Sequence, residues 1–163
     1  MKTPLIERGS FSIERIYDAS PVNVFAAWSQ VESKARWFVG PENWTLVTRE
    51  LDFRIGGHEL LQGRLASGRD TIYTARFHEI VPDVRILYVY DMHYQIHGQK
   101  THHSVSIATV ELEPVKRQTR LLFAEQVAFL DGTDGMEGTA SREHGTAVHL
   151  DRLRNHIRPA NNG

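Results

Sequence analysis

The chain has 163 residues, 40% of them apolar and 24% charged, with a formal net charge of -1. That length suffices for one domain with its own core, and the near-neutral balance lacks the broad basic footprint of a nucleic-acid binder. The absence of cysteine excludes disulfides, thiolate catalysis and cysteine zinc sites.

The opening residues, MKTPLIERGSFS, carry no apolar signal-peptide region. No apolar run approaches a membrane span, so a cytoplasmic protein is expected. Phe11 to Tyr17 alternates, with Phe11, Ile13 and Tyr17 on one side, and reads as a strand. Ser20 is a good N-cap and Pro21 suits a first helical position, where its missing N–H costs nothing. Val24, Ala27, Trp28 and Val31 then follow at helical spacing. A second short helix is expected over Glu32 to Phe38, ended by Gly40-Pro41. Trp44 to Ile55 is strand-like, Gly56-Gly57 makes a turn, and Glu59 to Leu65 returns as a hairpin partner. Thr71 to Ile80 and Arg85 to Ile96 alternate clearly. Ile86, Tyr88, Tyr90, Met92, Tyr94 and Ile96 share one face of the latter. Ser104 to Glu113 and Arg120 to Leu130 are two further strands. Asp131 to Gly138, with three glycines, reads as a flexible loop.

The last element, Thr139 to Ile157, is helical. Leu150, Leu153 and Ile157 mark its inward face. Carried back at 3.6 residues per turn, that face meets Thr146, Glu143 and Thr139, so an apolar half is joined to a polar half. Such a face suits a helix roofing a cavity. Strands segregated from helices give an α+β fold. A curved antiparallel sheet of about seven strands is expected to grip the C-terminal helix, with two short helices between strands 1 and 2. One domain is expected over 1–163, its ordered core at about 10–157 and the tail after Ile157 frayed.

Four stretches carry a family resemblance. They are Ile16-Tyr17-Asp18-Ala19-Ser20-Pro21 with Val24-Phe25-Ala26-Ala27-Trp28; Ala35-Arg36-Trp37-Phe38 with Gly40-Pro41; Asp52-Phe53-Arg54-Ile55-Gly56-Gly57; and Gly145 to Leu153. Together they resemble the helix-grip, START-like (SRPBCC) superfamily, which includes the birch-pollen-allergen fold and the polyketide cyclases. Within it the chain is most similar to proteins homologous to the C-terminal domain of the activator of heat-shock protein 90 ATPase. The resemblance spans roughly residues 10 to 157. It implies the fold, and with it a ligand cavity or a chaperone contact, but fold does not fix activity. One departure is Thr146, where the family often has tryptophan. The smaller residue would enlarge or wet the pocket.

The cavity candidates are Trp37, Phe53, Tyr73, Phe77, Tyr88, Tyr90, Met92, Phe123, Met136, Glu143, Thr146 and Leu150. Aromatic walls with phenol groups suit an amphipathic ligand. Glu143, if it faces the sheet, would be a desolvated carboxylate fit for acid, base or anchor. Its other reading is a solvated residue in the first helical turn. His93, His97, His102 and His103 cluster on one hairpin. Imidazoles could bind a metal, but no carboxylate joins them at a recognised spacing, and a solvated hairpin tip is the reading adopted. His144 falls off the inward face of the last helix and His149 lies at its edge. Asp52 and Arg54 are expected to form a salt bridge, and Trp28, Trp37 and Trp44 to pack the short helices on the sheet. No Ser-His-Asp arrangement is read, no nucleophile is assigned, and no cofactor is expected. Three functions follow. The first is binding of an apolar or amphipathic small molecule, gated by the Asp131 to Gly138 loop. The second is a co-chaperone-like interaction module. The third is a cyclase- or hydrolase-like enzyme using Glu143 or a pocket histidine.

Overall fold

The computed structural model describes residues 2–157. The chain runs β1 (Glu7–Tyr17), α1 (Pro21–Ser29), α2 (Val31–Trp37), β2 (Trp44–Leu51), β3 (His58–Leu65), β4 (Asp70–Val81), β5 (Arg85–Ile96), β6 (Gln99–Val115), β7 (Gln118–Phe129) and α3 (Gly135–Ile157). The strands form one antiparallel sheet in the order β1-β7-β6-β5-β4-β3-β2. Strands β2 to β7 are joined as consecutive hairpins, whereas β1 and β2 lie at opposite edges. The segment holding α1 and α2 connects those two edges.

Local chemistry sets the elements. Ser20 caps α1, its hydroxyl accepting from the Asn23 backbone N–H at 3.3 Å, with Pro21 in the first turn. The two short helices bury Val24, Ala27, Trp28 and Trp37. Trp28 and Trp37 meet edge to face at 4.7 Å, and the Trp37 indole N–H donates to the Ala27 carbonyl at 3.0 Å. Alternation along the strands supplies the core beneath α1 and α3, including Ile13, Tyr17, Ile86, Tyr88, Val110, Leu121 and Phe123. Trp44 lies over β3 because Gly63 leaves room. A Cβ there would fall 1.7 Å from the Trp44 indole nitrogen.

Three expectations are corrected. Strand β2 ends at Leu51, not Ile55, because Asp52 to Gly57 is a turn closed by Arg54 N–H to Asp52 O and Gly57 N–H to Arg54 O. Gly56 sits there at φ +81°. The Asp52–Arg54 ion pair forms at 2.9 Å, but within that turn and exposed. Helix α3 starts at Gly135, four residues earlier than the periodicity indicated, because Asp134 accepts from the Glu137 backbone N–H at 2.9 Å. The expected gating loop therefore shortens to residues 131–134, and Gly135 to Gly138 form the first helical turn. Strand β6 extends from Gln99 to Val115, so His102 and His103 belong to a strand and not to a hairpin tip. The tail expected to fray lies outside the described residues.

Candidate functional site

A cavity of about 870 Å³ lies between the inner face of the sheet and α3, bounded at one end by α2 and residues 38–41. Strand β5 contributes Tyr88, Tyr90, Met92 and Tyr94, every second residue on one face. Trp37, Phe38, Leu61, Tyr73, Phe123 and Leu150 complete most of the apolar wall. The rings interlock: Phe38 meets Tyr73 at 5.0 Å and Tyr73 meets Tyr90 at 4.9 Å.

A buried polar network crosses this wall. Glu125 projects inward from β7 with a side chain 0% exposed, and Arg142 reaches it from α3 at 3.1 Å. The same carboxylate oxygen, Oε2, accepts from the Tyr90 hydroxyl at 2.7 Å and the Ser106 hydroxyl at 2.8 Å. Arg142 also donates to Tyr90 at 2.8 Å and to Ser104 at 2.8 Å. One guanidinium thus ties the helix to β5, β6 and β7. Glu125 Oε1 is enclosed and has no partner among the described residues. Burial pushes the Glu125 carboxyl above the usual range, against the opposing pull of Arg142 and its hydrogen bonds.

The second buried ion pair is Lys34 to Glu59 at 2.6 Å, both almost wholly enclosed. Its ammonium lies 5.0 Å from the Phe38 ring centre. At the rim, His149 is held to the Val39 carbonyl at 2.9 Å, and Arg152 donates to the same oxygen at 2.9 Å. Burial lowers the His149 pKa to about 4, so the ring is neutral near pH 7. The Tyr17 and Tyr90 hydroxyls are satisfied, Tyr17 by the Leu150 carbonyl at 2.9 Å. Those of Tyr73 and Tyr88 have no partner among the described residues, although both side chains line the cavity. Burial raises the phenols of Tyr73, Tyr88 and Tyr90, so they remain protonated donors.

Of the sequence candidates, Trp37, Tyr73, Tyr88, Tyr90, Met92, Phe123, Thr146 and Leu150 line the cavity. Phe53 and Phe77 do not. They meet edge to face at 5.0 Å, and Phe53 meets Phe25 of α1 at 5.6 Å, which makes them packing beneath that helix. Met136 is 85% exposed, because the early helix start turns it outward. Glu143 is also exposed, beside Glu7 to Ser10 of β1. The reason is the seating of α3. Its Thr139 packs on Gly9 of β1, where a Cβ would fall 1.8 Å from the threonine hydroxyl. The line through Thr139 and Glu143 therefore follows the edge strand, and the flank carrying Gly138, Arg142, Thr146 and His149 faces the cavity.

The histidines divide. His97 is in the hairpin turn at φ 50°. His93 and His102 stack at 4.3 Å, and His102 contacts Asp91 at 2.7 Å. His103 is buried, lines the cavity and contacts Asp131 at 2.7 Å. Among the described residues no three histidine or carboxylate side chains converge in a way that could hold a metal ion. Glu125, Arg142 and His103 are the site residues that sequence reasoning missed. Glu125 was visible as the inward-register residue between Phe123 and Val127.

A comparison with curated protein sequences finds no match. Among solved structures, a putative uncharacterized protein from Rhizobium leguminosarum is 35% identical, over 94% of this chain and 96% of that one, with a TM-score of 0.85. The Mll3558 protein from Rhizobium loti is 36% identical over 93% and 99%, with a TM-score of 0.81. The AHSA1-like protein from Aeromonas hydrophila shares the fold at 18% identity over 93% and 94%, TM-score 0.66. Residues 18–158 match the family model described as Activator of Hsp90 ATPase homolog 1-like protein, and on that match, with the Rhizobium structures, the chain belongs to this family.

Proposed function

We propose that the protein binds an apolar or amphipathic small molecule between the sheet and α3. The observation that supports this is a space of about 870 Å³ walled mainly by aromatic and aliphatic side chains. Protein interiors pack to near-crystalline density, so a space of that size is distinct from an ordinary packed core. Ligand pockets typically measure roughly 300–1,000 Å³. Two charges of the wall, Glu125 and Lys34, are paired internally, with Arg142 and Glu59. Groups open to a ligand include the Tyr73 and Tyr88 hydroxyls and the Thr146 oxygen, which already donates to the Arg142 carbonyl and can still accept. Trp37, Met92, Phe123 and Leu150 supply apolar contact. Titration with the neutral dye N-phenyl-1-naphthylamine tests the reading: saturable fluorescence enhancement is expected, weakened by Thr146→Trp, which puts an indole into the space. Equal enhancement in both proteins would oppose it.

A second reading comes from the family, whose description names activation of the Hsp90 ATPase. A co-chaperone-like contact would use the outer surface and would survive Thr146→Trp. Stimulation of that chaperone's ATPase by both proteins would support it. Glu143, exposed at the β1 rim, has no place in a cavity reaction.

A further inference from the structure

In the pairing of β5 with β6, Met92 faces Ser104 and His93 faces His102, which leaves His103 as an extra residue. This is a β-bulge. In regular strands, neighbours point to opposite faces; here His103 and Ser104 are both buried while His102 is exposed. Bulges of this kind re-aim a side chain and are common beside active sites. The imidazole is clamped by rings on two sides, Tyr94 at 4.8 Å and Phe129 at 5.3 Å.

Its partner is equally fixed. Asp131 Oδ2 lies 2.7 Å from His103 Nδ1. Asp131 Oδ1 accepts from the Thr133 backbone N–H at 3.1 Å and from the Thr133 hydroxyl at 2.6 Å. The Leu130 backbone N–H donates to the His103 carbonyl, tying the loop to the strand. The hydrogen bonds from Thr133 and His103 hold the Asp131 carboxyl below its usual range despite partial burial. An ionised carboxylate only accepts, so Nδ1 carries the proton and Nε2 presents its lone pair. Nε2 has no hydrogen-bond partner among the described residues, and His103 is part of the cavity wall.

We propose that His103 and Asp131 form a proton-transfer dyad in this wall, with His103 as general base toward a neutral, weakly acidic carbonyl compound bound in the cavity. The proposal rests on the small-molecule reading above. Neither neighbouring hydroxyl is hydrogen-bonded to His103: Ser104 accepts from Arg142 at 2.8 Å and Thr133 donates to Asp131. A base to which no hydroxyl is hydrogen-bonded among the described residues, in a mainly apolar space, suits transfer of a proton from carbon. Nε2 takes the proton next to the carbonyl, the C–H electron pair becomes the enolate double bond, and the carbonyl π pair moves to oxygen. The imidazolium then returns the proton to the same carbon or to a conjugated one. Exchange or a double-bond shift results, with nothing consumed. Asp131 is the positioning residue, fixing the tautomer and stabilising the imidazolium. Arg142, bonded to Ser104, places a guanidinium on the same wall as the developing negative charge.

The test uses 2-tetralone, a neutral bicyclic ketone, with deuterium uptake next to its carbonyl followed by NMR in D2O. Binding is measured separately by intrinsic fluorescence. The intact protein is expected to give saturable exchange. His103→Gln should reduce it roughly 100-fold or more, the usual contribution of a general base. Asp131→Asn should lower kcat with KM and binding unchanged, which a merely structural aspartate would not do. Tetralone bound equally, with the same exchange in all three proteins, would overturn the dyad and leave the binding reading standing. Absence of saturable binding for both tetralone and the naphthylamine dye would overturn both.

Discussion

Replacing Arg142 with methionine removes the cation that pairs with Glu125 in the wall of the cavity. The side chains of Glu125 and Arg142 are 0% and 15% exposed, so the carboxylate cannot recover its hydration where it stands. Breaking such a buried pair from one side costs about 3–5 kcal/mol. For a protein of this size that corresponds to a loss of roughly 6–20 °C in Tm, at about 2–4 °C per kcal/mol. The sign with pH follows from Glu125, whose carboxyl burial already raises above its unfolded value. Losing Arg142 raises it further. With the folded-state pKa above the unfolded one, the native state holds more protons between the two, and stability falls as pH rises through that window. The defect in Arg142→Met should therefore be largest at pH 8 and shrink toward pH 5, as Glu125 becomes neutral. Urea unfolding at both pH values measures this. Adding Glu125→Gln should recover most of the loss at pH 8. A defect equal at both pH values and unchanged by Glu125→Gln would refute the argument.

Three further outcomes follow from the geometry. His149, lowered by burial to about 4, is held neutral in the fold. Its contribution is full above its unfolded pKa of roughly 6.5 and is lost as pH falls from there toward 4, on the order of 3 kcal/mol; thermal melts across pH 4–7 should flatten in His149→Asn. Gly63→Val would drive a side chain into Trp44, so a loss of a few kcal/mol and a red-shifted tryptophan emission are expected in urea titrations and emission spectra. Tyr73→Phe and Tyr88→Phe remove hydroxyls that have no partner among the described residues, so Tm should move little while affinity for oxygenated ligands falls by titration.

The strands were legible where side-chain alternation is strict, as in β5 from Ile86 to Ile96, and α1 was legible through Ser20 and Pro21. Most of the apolar cavity wall followed, because Tyr73, Tyr88, Tyr90, Met92 and Phe123 all occupy inward register. The polar part did not follow. Projecting the α3 face from Leu150 in steps of 3.6 reaches Glu143, but that line runs along β1, and the cavity flank carries Arg142 instead. No periodicity reveals on which side of a helix an edge strand sits. Phe53 and Phe77 have the pattern of cavity residues yet pack under α1, because a sheet this long serves two sets of helices. His103 was hidden by the bulge. A period-two reading sends it to the opposite face from Ser104, and only the extra residue in the register turns it inward beside Asp131.

The space under α3 is expected to hold a small molecule. Native mass spectrometry tests it most directly, on the purified protein before and after incubation with a lipid and aromatic-metabolite extract, alongside Thr146→Trp. A retained small mass is expected on the native sequence and a weaker one on Thr146→Trp, with both proteins folded. A clean apo mass for both, or equal retention by both, would contradict it.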